Sequence, residues 1–175
     1  LAAFAAFLAF VAINHGVAIG DIEMTPTYSI HLGNVYLLLF TAFFLFLPAN
    51  LANAPHIGRL MREHRLAPFY AAAFFVFYMA TFQVDHPYNT EEWAQWFLSN
   101  RILGFFQASP LRQALFFLPV LYAVLALCCT RLRAPEHYLI YPLSIVFLLP
   151  HWQIDPRYHL IPLLLLLLFS DEARQ

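Results

Sequence analysis

The sequence predicts an all-α fold, a polytopic transmembrane helix bundle with about six membrane segments. Three observations carry this: scarcity of charge, regular apolar runs and an uneven distribution of arginine. Of 175 residues, 62% are hydrophobic and only 11% charged, against about 25% charged in a typical soluble domain. So few charges cannot coat a soluble globule of this size, so lipid is expected to solvate much of the surface. A net charge of −1 excludes a broad basic face for nucleic acid.

The apolar runs fall at Leu1–Ile13, Val35–Leu51, Ala67–Phe82, Gln113–Cys129, Tyr138–Pro150 and His159–Phe169. No repeat or soluble domain interrupts them, so residues 1–175 read as a single transmembrane domain. Leu1–Ile13 is apolar from its first residue and lacks a basic flank. A helix of that length is about 20 Å long, too short for a hydrocarbon core of about 30 Å. It reads as the second half of a membrane helix, and the chain as a C-terminal fragment of a longer protein. The last two runs are also short. Each needs flanking residues in order to span, or the pair forms a hairpin that dips in and returns. Cys128 and Cys129 are adjacent within an apolar run and fit no metal or redox spacing. They read as small lipid- or core-facing residues.

If the runs alternate across a membrane, the polar segments sort into two sets. Asn53–Leu66, Thr130–His137 and the tail after Ser170 hold Arg59, Arg62, Arg65, Arg131, Arg133 and Arg174. Asn14–Asn34, Gln83–Arg112 and His151–Tyr158 hold Arg101, Arg112 and Arg157. Six arginines against three place the first set in the cytoplasm by the positive-inside rule. The second set then faces the periplasm of a bacterial inner membrane or the lumen of the endoplasmic reticulum. It is rich in acids and histidines, either as solvated loops or as the rim of a shared cavity. Within it, residues 91–103 read as an interfacial helix. Thr90 is its N-cap, Glu91 and Glu92 complement the helix dipole, and Trp93, Trp96 and Phe97 share one face. The helix serves as an anchor or as a lid.

Three constellations in this second set can carry chemistry. In the last loop, Asp155, Pro156, Arg157, Tyr158 and His159 precede a leucine run containing Pro162. An arginine and histidines at the mouth of a membrane helix are costly unless paired or bound to a ligand. Pro156 favours an extended Asp155 and a fixed start to the next helix. Arg157 is then either a phosphate seat near a helix N-terminus or half of an Asp155–Arg157 ion pair that closes the loop. The first loop reads Asn14-His15-Gly16, Gly20-Asp21 and then His31 and Asn34, its glycines permitting tight turns. Asp21 acts as a general base, or binds a sugar hydroxyl, or merely caps a turn. The third constellation is Asp85-His86-Pro87-Tyr88 with Arg101. Its carboxylate and imidazole form a proton shuttle or a loop-stabilising contact. No phosphate-cradling glycine loop, GxSxG, HExxH or GxGxxG sequence competes with these.

Taken together these stretches resemble the polytopic glycosyltransferases of the GT-C class. Within that class the chain is most similar to the C-terminal half of the terminal α-1,2-glucosyltransferases of N-glycan precursor assembly, which use dolichyl-phosphate glucose. The resemblance rests on Asn14-x-Gly16 with Gly20-Asp21 and His31, on His86-Pro87-Tyr88 leading to Arg101-Ile102-Leu103, and on Asp155-Pro156-Arg157-Tyr158 with Leu160 and Pro162. It covers roughly Phe10 to Phe169. After the His-Pro-Tyr stretch that family has Asp-Asn-Arg-His-Tyr, whereas Asn89-Thr90-Glu91-Glu92-Trp93 stands here. This leaves open a relative using another polyprenyl-phosphate sugar.

The resemblance implies inverting transfer of a sugar, glucose or another, from a polyprenyl phosphate to a hydroxyl of a glycan or lipid-linked acceptor. It implies that Arg157, His159, Arg101 and His86 contact the donor phosphate. Asp21 is the catalytic candidate within the chain, while the usual catalytic acid of the class lies in a more N-terminal loop. Asn14, His15, His31, Asp85 and Asp155 then shape the acceptor side or the loops. Nothing in the sequence requires a metal or other cofactor. The rival class is a transporter or flippase for lipid-linked sugars. It is expected to carry ionisable residues at mid-membrane depth and a two-fold repeat, and the apolar runs show neither.

Overall fold

The structure, a computed structural model, describes Ala9, residues 30–84, His86 and residues 101–171. Apart from Ala9, the run Leu1–Ile13 lies outside these, as do residues 91–100 of the expected interfacial helix. Among the described residues the fold is all-helical and has no strand; one isolated bridge joins Leu132 to Ser170. The helices are α1 (Gly33–Leu45), α2 (Leu47–Ala52), α3 (Ala54–Glu63), α4 (Ala67–Thr81), α5 (Arg101–Gln107), α6 (Pro110–Cys129), α7 (Ile140–Leu148) and α8 (Leu160–Phe169). Short 3-10 turns at Pro135–Leu139 and Pro156–His159 lead into α7 and α8.

Helix α6 organises the bundle. Ser109 caps it by accepting from the Arg112 main-chain N–H at 3.3 Å. Its 20 residues rise about 30 Å, and it alone among the described helices is long and apolar enough to cross a membrane. Helices α1, α2, α3, α4 and α5 all pack on it. The core between them is aromatic: Tyr36, Tyr78, Phe82, Phe116 and Phe117 are buried together with Leu103 and Ile154. Phe40 and Phe116 stack at 4.3 Å with planes 2° apart. Aromatic pairs of this kind add about 0.5–1.5 kcal/mol beyond area burial. Large apolar side chains also face outward, among them Phe69, Val76, Leu111, Leu118, Leu143, Val146, Leu164 and Leu168.

Two segments depart from the sequence reading. The run Val35–Leu51 is not one helix but two, broken at Phe46. Pro48 has no N–H to continue the ladder, and the buried Asn50 satisfies the exposed end of α1. Its amide donates to the carbonyls of Ala42 and Phe43 at 3.2 and 2.9 Å. Tyr122 then donates to the Asn50 carbonyl at 2.9 Å and ties the break to α6. The segment Asn53–Leu66, read as a polar loop, contains the amphipathic helix α3. Ile57 points inward, whereas His56, Arg59, Arg62 and Glu63 are exposed. Pro55 sits in its first turn, where a missing N–H costs nothing. The interfacial helix expected to end at Leu103 also differs, since its described part runs on to Gln107.

Helices α7 and α8 form a hairpin. At one end Arg133 N–H donates to the Phe169 carbonyl and Asp171 N–H to the Arg131 carbonyl, at 2.9 and 3.1 Å. At the other end lies the polar loop from Leu149 to Pro156. The beginning of α1 docks against this loop, with the His31 N–H donating to the Leu149 carbonyl at 3.0 Å.

Candidate functional site

The loop after α7 is held by a residue more than a hundred positions earlier. Asn34 stands in the first turn of α1 and is fully buried. Its amide nitrogen donates to the carbonyls of His151 and Gln153, both at 2.9 Å, and its oxygen accepts from the Asp155 N–H at 3.2 Å. One side chain thus satisfies three main-chain groups of a loop that has no regular ladder. Gly33 allows the approach. A Cβ there would sit 2.2 Å from Ile154 Cδ1 and 3.2 Å from the Gln83 carbonyl. Ile154 is itself buried, so it has little room to swing aside. Gly33→Ala is therefore expected to lose about 1–3 kcal/mol through overpacking, read as a lower unfolding midpoint in detergent. Wild-type stability would mean that the Ile154 side chain turns away freely.

Asp155 and Arg157 form the ion pair that the sequence left as one of two possibilities. Asp155 is extended, as expected before Pro156, and its Oδ1 accepts from the Arg157 main-chain N–H at 2.9 Å. Its Oδ2 accepts from Arg157 Nε at 2.9 Å and Nη2 at 2.6 Å. The carboxylate is almost buried, while the guanidinium side chain is 66% exposed. Two of the five guanidinium N–H donors are engaged, so three remain free to meet an anion. Burial pushes the Asp155 carboxyl up, but hydrogen bonds and charge from Arg157 outweigh it and hold the group below the usual range.

His159 ends the 3-10 turn, before the apolar helix α8 begins, and is 1% exposed. Among the described residues neither of its ring nitrogens has a hydrogen-bond partner, and Gln153 Nε2 and His151 Nδ1 in the same loop are likewise buried without one.

Around the loop the rings of His31, Trp152 and His86 come together. His31 stacks on Trp152 at 6.0 Å, and His86, which is buried, meets the same indole edge-on at 4.6 Å. His151 packs on Tyr158 at 4.2 Å. The structure thus gathers His31, His86, Asp155, Arg157 and His159 at one end of the bundle. Arg101 is exposed in the first turn of α5 and forms no hydrogen bond or ion pair among the described residues. Asp21, Asn14, His15 and Asp85 lie outside the described residues. Among the described residues no three His, Cys, Asp or Glu side chains form a group suited to a metal ion.

The sequence pattern gave Asn34 no role beyond leading into the next helix and did not mark Trp152 at all. The Gly33-Asn34 pair opening an apolar helix was the available signal for the first, since a small residue beside a buried amide marks close backbone approach. Comparisons with protein-family models, with curated proteins and with solved structures give no match to this chain.

Proposed function

We propose that the chain spans the membrane several times and forms part of a GT-C type glycosyltransferase. In this reading it moves a sugar from a polyprenyl phosphate to an acceptor hydroxyl on the extracytoplasmic side, with inversion. The observation that carries the reading is that one clasped loop, at the mouth of an apolar helix, holds an exposed, oriented guanidinium two residues from a buried imidazole. Those are the groups that a departing lipid phosphate needs: a cation with free donors, and a site of reduced dielectric in which its charge counts.

The step is a single displacement. A carboxylate, either Asp21 or an acid outside this chain, takes the acceptor proton, and the acceptor oxygen bonds to the anomeric carbon. The bond from that carbon to the phosphate oxygen breaks, and its electron pair leaves with the polyprenyl phosphate. Arg157 receives the charge that develops there. His159 and His86 are buried and shape the seat rather than touch the phosphate, and the exposed Arg101 assists. On the membrane side of the loop, a cavity of about 300 Å³ lies between α1, α6, α7 and α8. Leu38, Val124, Ile145 and Leu163 line it, and such a surface suits the isoprenoid tail.

The test offers radiolabelled polyprenyl-phosphate sugars to membranes containing the protein, as wild type and as Arg157→Ala at matched expression. Transfer by wild type that collapses in the variant supports both the enzyme class and the phosphate seat. No transfer from any donor would put a lipid-linked-sugar transporter ahead.

A further inference from the structure

A second polar feature lies away from that loop, toward the C-terminal end of α6. The turn from α3 to α4 carries Glu63, His64 and Arg65, all three exposed. The turn is held on both sides. The His64 N–H donates to the Leu60 carbonyl at 3.1 Å, and the Ala67 N–H donates to the His64 carbonyl at 2.8 Å. The only ion pair among the described residues is Asp155–Arg157. Glu63 and Arg65 therefore stand two positions apart on a fixed turn, unpaired with each other.

Beside this turn opens a groove of about 700 Å³, with Glu63, His64 and Arg65 at its rim. Away from the rim its walls are apolar, with Phe74 of α4 on one side and Leu121 and Leu125 of α6 on the other. It follows α6 from Cys128 back to Leu121, about 10 Å at 1.5 Å per residue. Arg59 and Arg62 do not line it, so the rim offers one negative and one positive charge and no net attraction for an anion. A dipolar rim over an apolar trough is complementary to a zwitterionic amphiphile whose two head charges stand close together. A phosphoethanolamine headgroup meets this, with its ammonium and phosphate two carbons apart. Its ammonium carries three N–H donors for the Glu63 carboxylate, whereas a choline headgroup has the same charges and no N–H to give a charge-assisted hydrogen bond.

We propose that this groove binds one molecule of phosphatidylethanolamine. Its ammonium donates to Glu63, its phosphate rests on Arg65, and one acyl chain lies between α4 and α6. The inference rests on the membrane reading above but not on sugar transfer. Both rim contacts are exposed and each is therefore weak, so the ammonium contact is expected to favour ethanolamine over choline by about threefold. An anionic glycerol headgroup gains at Arg65 but meets Glu63 without a cation, and is expected to bind no better than choline.

Native mass spectrometry of the purified protein tests it. Phosphatidylethanolamine, phosphatidylcholine and phosphatidylglycerol with identical acyl chains are titrated in turn, and then glycerophosphoethanolamine, which has the head but no chains. Phosphatidylethanolamine is expected to bind about threefold more tightly than either other lipid, and glycerophosphoethanolamine not to bind. Glu63→Gln is expected to bring the ethanolamine and choline lipids to parity, whereas Arg65→Gln weakens both and keeps the ethanolamine lipid ahead. Both side chains are exposed, so neither change threatens folding. Ala71→Phe, which fills the groove, is expected to weaken all three lipids. Equal binding of the ethanolamine and choline lipids by wild type would overturn the proposal. So would a preference for phosphatidylglycerol, or an ethanolamine preference that survives Glu63→Gln. Failure of the membrane reading shows separately, as release of the protein from membranes by alkaline carbonate.

Discussion

Replacing Asn34 with leucine is expected to be the most damaging single change at this end of the bundle. The side chains are similar in volume, so packing changes little, but three main-chain groups lose their partner at once: the His151 and Gln153 carbonyls and the Asp155 N–H. A buried polar group left unpaired costs about 1–3 kcal/mol. The loop relaxes in part and admits water, so a total loss of about 3 kcal/mol is expected. For a chain of this size that lowers the unfolding midpoint by roughly 6–12 °C. Asn34→Asp should be no better, because it keeps the acceptor for Asp155 but sets a carboxylate against two carbonyls. Thermal unfolding in detergent, with limited proteolysis of the loop at Gln153, reads both effects. A leucine variant within a degree of wild type, with the loop still protected, would show that other contacts hold this loop.

The second large effect concerns rate more than stability. If the proposed reaction holds, Arg157→Ala is expected to lower sugar transfer by about 10²–10³-fold, the usual consequence of removing a donor aimed at developing negative charge. The unfolding midpoint is expected to fall as well, because the almost buried Asp155 carboxylate loses both of its guanidinium hydrogen bonds. Arg157→Lys should recover only part of the rate. An ammonium cannot fork onto Asp155 and still present a planar edge to phosphate. The pairing with Asp155 also cancels the net charge of the seat, so orientation, not bare attraction, is what Arg157 contributes. Full transfer by the alanine variant, with a lower unfolding midpoint, would reduce the pair to a loop closure.

Much of the helical pattern was legible because it is local. The run Ala67–Phe82 became a helix over Ala67–Thr81, and Gln113–Cys129 extended only to Pro110 at its start. The Asp155–Arg157 pair was also foreseeable, as one of two readings, since it spans two residues and Pro156 holds the first of them extended. What the sequence hid was set by distance along the chain. Nothing near Asn34 announces that its partners stand beyond position 150, and nothing near Trp152 announces a ring from each of two earlier segments. The helix Ala54–Glu63 was missed for a different reason. Its proline and glycine look like loop punctuation, yet Pro55 falls in the first turn, where helices accept it, and Ile57 is its only buried residue.

The Asn34 clasp also sets an order of events during synthesis. Its partners are 117 to 121 residues downstream, a stretch that a ribosome takes roughly 6–24 s to make at 5–20 residues per second. Throughout that interval the start of α1 carries a bare amide that nothing yet built can satisfy. Whatever shelters it meanwhile, water at the surface or an insertion factor, must let go when the loop after α7 arrives. Assembly of this end of the bundle is thus timed by that loop.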